Sequence, residues 1–186
     1  LKYPVERLAV SCFIGNKEAP KDSESEKIWL NLGIPKDRIA FLGKEDNWWG
    51  PAGVSGPCGP DTEMFYYTNS SKPTPKKFDP EDDSWVEIWN DVFMEYNKTK
   101  EGTFLPLKQK NVDTGFGVER NLAILNNLKD NYLSPVFKPI IKEIEKILNK
   151  KYNDLDINTT KSIRILADHI KAAIFILGDP RAIKPS

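Results

Sequence analysis

The pattern of apolar and polar positions predicts a β-sheet in the first part of the chain. Residues 84–97 alternate between apolar and polar side chains over the length of a long strand, and residues 7–14 form an apolar run. Shorter strand-like runs occupy residues 64–68, 104–107 and 111–114. The sheet is expected to give way to a helix at Gly117.

Helical spacing predicts the remaining elements. A helix over residues 22–32 is indicated by Ser23 and Glu26 at capping-box spacing and by Gly33 as its end. Residues 118–128 have apolar positions at helical spacing. Beyond residue 135, two apolar stripes predict a pair of packed helices: Val136, Ile140, Ile144, Ile147 and Leu148, then Ile163, Leu166, Ile170, Ala173, Ile174 and Leu177.

Together these elements predict an α+β fold in two parts. Residues 1–130 are expected to contain the sheet, and residues 131–186 a helical segment whose last two helices are joined by the polar residues 153–158. The first residue is Leu1 rather than Met, and Pro185 and Ser186 end the chain in a turn-like stretch. We therefore expect a fragment of a longer protein.

Composition excludes several classes of protein. Lys plus Arg and Asp plus Glu are balanced at 27 each, so overall charge does not indicate a nucleic-acid binder, although a local basic surface stays open. Cys12 and Cys58 are far apart and form neither a disulfide framework nor a metal motif, which predicts reduced thiols. The sequence has no membrane-spanning run and no signal-peptide core, so we expect a cytoplasmic protein.

The stretch 112–120 combines an acid, two glycines and an arginine before a predicted helix. Asp113 can hold an ammonium group, Gly115 and Gly117 let a ligand approach the main chain, and Arg120 can bind phosphate oxygens with two nitrogens. This combination favours a substrate that carries charges of both signs. A Gly-x-Gly pair before a helix is equally typical of an ordinary strand-to-helix turn.

Residues 46–60 include Trp48 and Trp49 followed by Gly56-Pro57-Cys58-Gly59-Pro60. This last stretch contains two prolines and two glycines. We expect a shaped loop that no regular element includes, with an aromatic wall; a packed surface turn with a buried Trp is the alternative. Cys58 is disfavoured as a nucleophile because the only histidine, His169, lies in a different helical region.

Metal binding by Cys58, Asp61, Glu63 and His169 is formally possible, but their spacing matches no zinc pattern. Glu63 could still contact a magnesium ion through bound phosphates.

Asn90 is a polar residue on the apolar face of the long strand. A buried amide there costs about 1–3 kcal/mol if it finds no hydrogen-bond partner. Its partners could be structural, or Asn90 and Val92 could line a small ligand pocket.

Four separate stretches resemble the aminoacylation domain of the alanyl-tRNA synthetases, a class II synthetase family, in the family's order. The resemblance covers essentially the whole chain and implies an antiparallel sheet flanked by helices that binds ATP and L-alanine. The helical end would begin the region that meets the acceptor stem of tRNA(Ala). The matching stretches are Asp46 to Trp49 with Gly56 to Pro60 and Glu63, Glu87 to Met94, Val112 to Arg120, and Ala167 to Ile170.

The resemblance implies roles for individual residues. Asp113 would bind the alanine ammonium group, and the pocket around the methyl group would be shaped by Trp49, Asn90, Val92 and Gly115. Gly117 and Arg120 would bind ATP, with Arg120 acting in catalysis on the γ-phosphate and Mg²⁺ as cofactor. Arg164, Asp168 and Lys171 share one face of a predicted helix and, with His169, are candidates for tRNA binding; such a face is also typical of a solvated surface.

The sequence departs from the family in several respects. The first and second class II motifs are not found in it, so we expect an N-terminal half of the catalytic domain as a partner, and Asp61 replaces a frequent cysteine. We therefore expect the chain by itself to be inactive. The alternatives to an alanine-tRNA ligase are a truncated relative that binds alanine, nucleotide or a partner chain without aminoacylation, and a split half that needs its complement.

Overall fold

The computed structural model describes residues 1–181, and residues 182–186, including the predicted terminal turn at Pro185 and Ser186, lie outside this range. The described chain forms two compact units, one from Leu1 to Gly117 and a second that begins at Val118. The sequence predicted a change of organisation near residue 130. No described helix is both long and apolar enough to cross a membrane.

The first unit is built on a six-stranded mixed sheet. Its strands are β1 (Leu8–Phe13), β2 (Ile39–Leu42), β3 (Trp48–Trp49), β4 (Gly56–Tyr67), β5 (Trp85–Lys98) and β6 (Phe104–Phe116), and helix α1 spans Ser23–Asn31. The strand order is β2-β1-β4-β5-β6, with β3 beside β4. All pairs are antiparallel except β1 with β2. The expected α+β sheet is confirmed, with one parallel pair in it.

Two strands are longer than the sequence predicted. The expected loop through Gly56-Pro57-Cys58-Gly59-Pro60 is wrong, because these residues form the start of β4. A register shift between Cys58 and Asp61 accommodates Pro60, which cannot donate a ladder hydrogen bond. Residues 104–107 and 111–114, predicted as separate strands, belong to the single strand β6, which has a register shift opposite Met94 and Tyr96.

Helix α1 and a small aromatic core stabilise the sheet. Strand β1 is buried along its whole length, and Trp29 of α1 donates its indole N–H to Thr62 Oγ1 at 2.9 Å. The predicted capping box is not formed; Asp22 is the N-cap and accepts from the Ser25 amide at 2.9 Å. Gly33 ends the helix with φ +98°, as expected. A buried cluster contains Ala9, Tyr67, Phe78 and Trp85.

The second unit is helical. Helices α2 (Val118–Leu125), α3 (Lys138–Leu148) and α4 (Ile157–Gly178) are confirmed, and α3 and α4 share an apolar cluster. The buried face is rotated relative to the predicted stripes, since Ile147 is 82% exposed and Leu177 is 52% exposed. The cluster keeps Ile144 and Ile163 of the predicted stripes and also contains Phe137, Ile141, Tyr152 and Ala167. Phe137, Ile141 and Ile144 have the spacing of one helix face.

Candidate functional site

Four strands place three candidate site residues, Glu63, Asn90 and Gly115, in one row with Ser11 across the sheet. Ser11 of β1 lies opposite Glu63 of β4, Glu63 lies opposite Asn90 of β5, and Asn90 lies opposite Gly115 of β6. Directly opposite residues of antiparallel strands project from the same face. This row therefore brings together residues that are as far apart in the sequence as Ser11 and Gly115.

A second row lies beside the first. Asp61 is opposite Val92, and Val92 is opposite Asp113. Because residues two apart in a strand share a face, the two rows form one surface. We call this surface the two-row patch; it consists of Ser11, Asp61, Glu63, Asn90, Val92, Asp113 and Gly115.

Asn90 lies at the centre of the two-row patch and donates to two carboxylates. Its Nδ2 lies 3.2 Å from Glu63 Oε1 and 3.4 Å from Asp61 Oδ2. Its Oδ1 is buried and accepts no hydrogen bond from the described residues. A buried acceptor without a donor costs free energy, so this oxygen is suited to receive an N–H from a ligand. Asn90 therefore has structural partners and an unused acceptor.

Asp61 is the most buried carboxyl group of the patch, at 2% exposure. Asn47, itself fully buried, donates to Asp61 Oδ1 at 3.0 Å and to Ser11 Oγ at 2.8 Å. Burial raises the pKa of Asp61 to about 6, while the amide hydrogen bonds from Asn47 and Asn90 act in the opposite direction. These bonds make a continuous polar network beneath the patch.

Asp113 and Gly115 lie on the edge strand of the sheet. Both are exposed, and Asp113 Oδ1 accepts from the Thr114 amide at 2.8 Å. A Cβ atom at Gly115 would lie 3.9 Å from Asn90 Cβ, within ordinary contact distance. The absence of a side chain at Gly115 thus leaves room next to Asn90. The carboxylate of Asp113 is accessible to a solute from this side.

The two tryptophans have different surroundings. Trp48 packs against Phe13, Tyr96 and Phe104, with ring centroids 5.5 to 5.9 Å apart. Trp49 is 39% exposed and pairs with Gly59, two residues before Asp61. A Cβ at Gly59 would lie 1.8 Å from the carbonyl oxygen of Phe93, so this position requires glycine. Trp48 is a packing residue, whereas Trp49 lies at the end of the patch and is accessible.

The described residues contain no group of three or more His, Cys, Asp or Glu side chains that could hold a metal ion. Cys58, Asp61, Glu63 and His169, whose spacing matched no zinc pattern, do not form such a group. Glu63 is a single, partly buried carboxylate that accepts from Asn90. Mg²⁺ is commonly bound by one or two carboxylates together with substrate phosphates. Glu63 fits such a role and could not bind a metal ion tightly by itself.

Both cysteines are free thiols, as expected, and both are fully buried. Burial raises the pKa of Cys12 to about 12 and also raises the pKa of Cys58. A thiol of this kind is rarely ionised near neutral pH. The buried thiols therefore agree with the prediction that Cys58 is not a nucleophile.

Arg120, the predicted ATP-binding residue, lies in the first turn of α2 in the second unit. Its backbone follows directly from Gly117, the last residue of the sheet unit. Arg120 is exposed. Its neighbour Glu119 forms an ion pair with Lys171 of α4.

The predicted tRNA-binding face of α4 is engaged within the second unit. Arg164 donates to Asp130 Oδ2 at 2.6 Å and to Tyr152 Oη at 2.9 Å. Asp168 accepts from Tyr132 Oη at 2.7 Å, and Lys171 pairs with Glu119. His169 is exposed. A role for these four residues in tRNA binding stays a prediction.

A cleft of about 470 Å³ lies on the other face of the sheet, between α1 and strands β5 and β6. Its lining includes Phe93 and Val112, which neighbour Val92 and Asp113 in the sequence and so project to the opposite side. None of the predicted site residues lines it. The chemistry of the two-row patch is therefore separate from this cleft.

Sequence reasoning assigned no role to Ser11 or Asn47, and it weighed Asp61 only as a metal ligand. Ser11 and Asp61 are members of the patch, and Asn47 connects them through its amide group. The apolar run around Ser11 gave no sign of a polar partner. Asn47 lies in a stretch used for the resemblance, but only the folded sheet shows which carboxyl group it contacts.

Comparison with known proteins places the whole chain in one family. Residues 1–184 match the model described as tRNA synthetases class II (A). The chain is 51% identical over 189 residues to an alanine–tRNA ligase of Treponema denticola, which covers 100% of this chain and 31% of that protein. An alanine–tRNA ligase of Borreliella afzelii is 46% identical over 187 residues, covering 100% of the chain and 31% of the relative.

A more distant relative agrees with this result. An alanine–tRNA ligase of Rubrobacter xylanophilus is 35% identical over 192 residues, covering 96% of this chain and 21% of that protein. The chain thus spans about a third of the length of the first two curated relatives. The family model matches nearly all residues, and the fold is a mixed sheet with flanking helices. The chain belongs to the class II tRNA synthetase family of the alanine type.

Proposed function

We propose that this chain is part of the aminoacylation domain of an alanine–tRNA ligase. The whole protein would activate L-alanine with ATP and transfer the alanyl group to tRNA(Ala). The observation that carries this proposal is the two-row patch, in which Asp113 lies opposite Val92, and Gly115 lies opposite Asn90. An anionic group, a small apolar side chain, an amide and bare backbone are thereby presented on one face.

The patch suits the ammonium group of an amino acid. Asp113 supplies an accessible negative charge, and a charge-assisted hydrogen bond contributes about 1.5–3 kcal/mol. The unused Asn90 Oδ1 can accept a second N–H. Asp61 and Glu63 hold the nitrogen of the same amide. Three acidic residues near one amide favour a cationic group over an anionic one at this point.

The patch also suits a small side chain. Val92 is 5% exposed and so forms an apolar floor, while Gly115 leaves an opening next to Asn90. Trp49 is accessible at the end of β3 and would cover one side of a bound amino acid. One extra methylene in such a pocket is discriminated by about 1–3 kcal/mol. Preference for alanine over larger amino acids would come from these contacts.

ATP would be bound in part by Gly117 and Arg120. Class II synthetases use ATP, and the guanidinium group of Arg120 is suited to two phosphate oxygens at once. Glu63 is the residue that could contact Mg²⁺ through the phosphates. The alanine carboxylate would attack the α-phosphorus to give alanyl-adenylate and pyrophosphate, and a ribose hydroxyl of tRNA would then take the acyl group with release of AMP. This route needs positioned charges and no protein nucleophile.

The proposed activity is that of a protein longer than this chain. The chain spans 31% of the length of the Treponema denticola relative, so the acceptor stem of tRNA(Ala) and the activated alanine would be bound with the help of further residues. A partner segment that completes the catalytic domain is part of the proposal. The exposed edge strand β6 is one surface that such a segment could cover.

Alanine-dependent ATP–pyrophosphate exchange tests the proposal. We expect exchange by the chain extended to the length of its relatives, and its loss in Asp113→Asn, which keeps the size of the side chain and removes its charge. Asp83→Asn, a change at an exposed acid outside the patch, is the matched control and should retain exchange. Binding of alanine without exchange would indicate a relative that does not catalyse activation. Exchange that depends equally on another amino acid would overturn the assignment of alanine.

A further inference from the structure

Three residues on one face of α4 connect it to the segment that begins with α2. Arg164 pairs with Asp130, Asp168 accepts from Tyr132, and Lys171 pairs with Glu119. We call these three connections the α4 ladder. Sequence periodicity placed Arg164, Asp168 and Lys171 on a common face, and the structure shows that each has an intramolecular partner.

The last connection of the α4 ladder reaches the first turn of α2. The Lys171 side chain is 28% exposed and that of Glu119 is 21% exposed, so the ion pair is largely removed from water. The aromatic rings of Phe137 and Phe175 lie 5.4 and 5.7 Å from the Lys171 ammonium group. Rings at this distance attract a cation and limit its movement. The ammonium group is therefore held in place on several sides.

Glu119 responds to this contact. Its hydrogen bond to Lys171 holds the pKa of the Glu119 carboxyl below its usual range, so the contact favours the charged carboxylate. Ion pairs of low exposure interact more strongly than exposed ones, and removal of one partner leaves an uncompensated charge. Glu119 precedes Arg120 in the same helical turn, so a restraint on Glu119 restrains the backbone that carries Arg120.

We propose that Lys171 is a positioning residue for ATP: by binding Glu119 it fixes the first turn of α2 and hence the direction in which Arg120 is presented. This inference rests on the proposed function, in which Arg120 binds the phosphates. Lys171 acts through Glu119 and does not itself contact the substrate. The pairing also links the helix α4 to the residue that binds ATP.

The test compares Lys171→Met with Lys171→Arg in the protein at the full length of its relatives. We expect Lys171→Met to raise the KM for ATP at least about fivefold in the exchange assay, with the KM for alanine changed less than about twofold. Lys171→Arg keeps the cation and should restore most of the ATP affinity. Lys161→Met, at an exposed lysine near the start of α4, is the matched control and should leave both constants unchanged.

A double variant separates direct coupling from general damage. Glu119→Gln should raise the KM for ATP by a similar factor, and Glu119→Gln with Lys171→Met should add little further, because both changes remove the same contact. An unchanged KM for ATP with a raised KM for tRNA in aminoacylation would overturn the inference and make Lys171 a tRNA contact. Equal increases for ATP and alanine without rescue by arginine would overturn it in favour of a purely structural role.

The two proposals fail in different ways. Absence of exchange in the unmodified full-length protein would overturn the proposed function and this inference with it. Normal exchange in that protein, together with an ATP KM insensitive to Lys171→Met, would overturn only the positioning role.

Discussion

Asn90 Nδ2 donates a hydrogen bond to Glu63 Oε1 at 3.2 Å between strands β4 and β5, so the nitrogen of this amide is already paired with a carboxylate. The oxygen end, Asn90 Oδ1, is buried without a donor from the described residues. Asp113 and Gly115 lie on the neighbouring strand β6 in the adjoining rows. A ligand ammonium group would supply the missing donor and pair with the Asp113 charge.

Removal of the Asp113 charge should weaken alanine binding. We expect Asp113→Ala to reduce affinity by more than about 1 kcal/mol, since the ammonium group loses its ionic partner. Isothermal titration calorimetry with alanine measures this directly, and Asp83→Ala is a control at an exposed acid outside the patch. An affinity equal to that of the unmodified protein would remove Asp113 from the site.

Substitution by alanine should affect substrate binding at Gly115 and stability at Gly59. At Gly115 an added Cβ would lie 3.9 Å from Asn90 Cβ, so Gly115→Ala should leave stability nearly unchanged and raise the KM for alanine about tenfold or more. At Gly59 an added Cβ would lie 1.8 Å from Phe93 O. Gly59→Ala should therefore lower the free energy of unfolding by more than about 2 kcal/mol.

Denaturant unfolding and steady-state kinetics on both variants provide the comparison. A Gly59→Ala protein as stable as the unmodified one would contradict the close approach of β4 and β5. A Gly115→Ala protein with an unchanged KM for alanine would show that the opening beside Asn90 is not part of the substrate pocket.

Asp61 should make stability depend on pH in the mildly acidic range. Its pKa is raised from 3.8 to about 6 by burial, so the folded state holds a proton that the unfolded state has released between these values. The contribution of Asp61 to the free energy of unfolding therefore falls as pH rises from about 4 to about 6, by on the order of 3 kcal/mol. Below about pH 4 both states are protonated and the penalty is absent.

The measurement is chemical denaturation at several pH values for the unmodified protein and for Asp61→Asn, which cannot ionise. The difference between the two free energies of unfolding should change across this interval and become constant above it. A difference that is constant from pH 4 to pH 7 would show that the pKa of Asp61 is not raised in the folded state.

Arg120→Ala should affect the nucleotide step more than amino-acid binding. In the full-length protein we expect adenylate formation to fall by about a hundredfold or more, because a positioned cation on the phosphates is lost, while alanine affinity stays within about twofold. Pre-steady-state adenylate formation and alanine titration are the two readouts. Equal losses in both would indicate that Arg120 supports the structure rather than the phosphates.

The Arg164–Asp130 pair should contribute to the stability of the helical unit. Arg164 donates to Tyr152 and Asp130 through different nitrogens, and a lysine cannot make both bonds in that geometry. We expect Arg164→Lys to lower the free energy of unfolding by about 1–2 kcal/mol. Thermal unfolding of this variant against Arg181→Lys, an exposed arginine, tests the difference. Identical melting temperatures would leave Arg164 available for the predicted contact with tRNA.

Local pattern was enough to predict most elements of this fold. The alternation over residues 84–97 corresponds to β5 (Trp85–Lys98), and the apolar run at residues 7–14 corresponds to β1 (Leu8–Phe13). Gly33 ends α1 as predicted, because a left-handed residue at that point is a local requirement. Such features depend on side chains within a few positions of each other.

Features that depend on distant partners were mispredicted or missed. The Gly- and Pro-rich start of β4 resembles a loop in isolation and becomes a strand because β3 and β5 pair with it. The buried faces of α3 and α4 are rotated from the predicted stripes because Tyr152 and Phe137 join the core between them. Neither pairing partner can be recognised from the spacing of residues along a single element.

The same division holds for the site. The sequence by itself determined the residue types: an acid before two glycines at Asp113, an amide on an apolar strand at Asn90, and an arginine at Arg120. Only the tertiary structure decided that Ser11, Glu63, Asn90 and Gly115 form one row, and that Asn47 and Asp61 support it. Strand register sets which residues face each other, and register is established by contacts between strands that lie far apart in the chain.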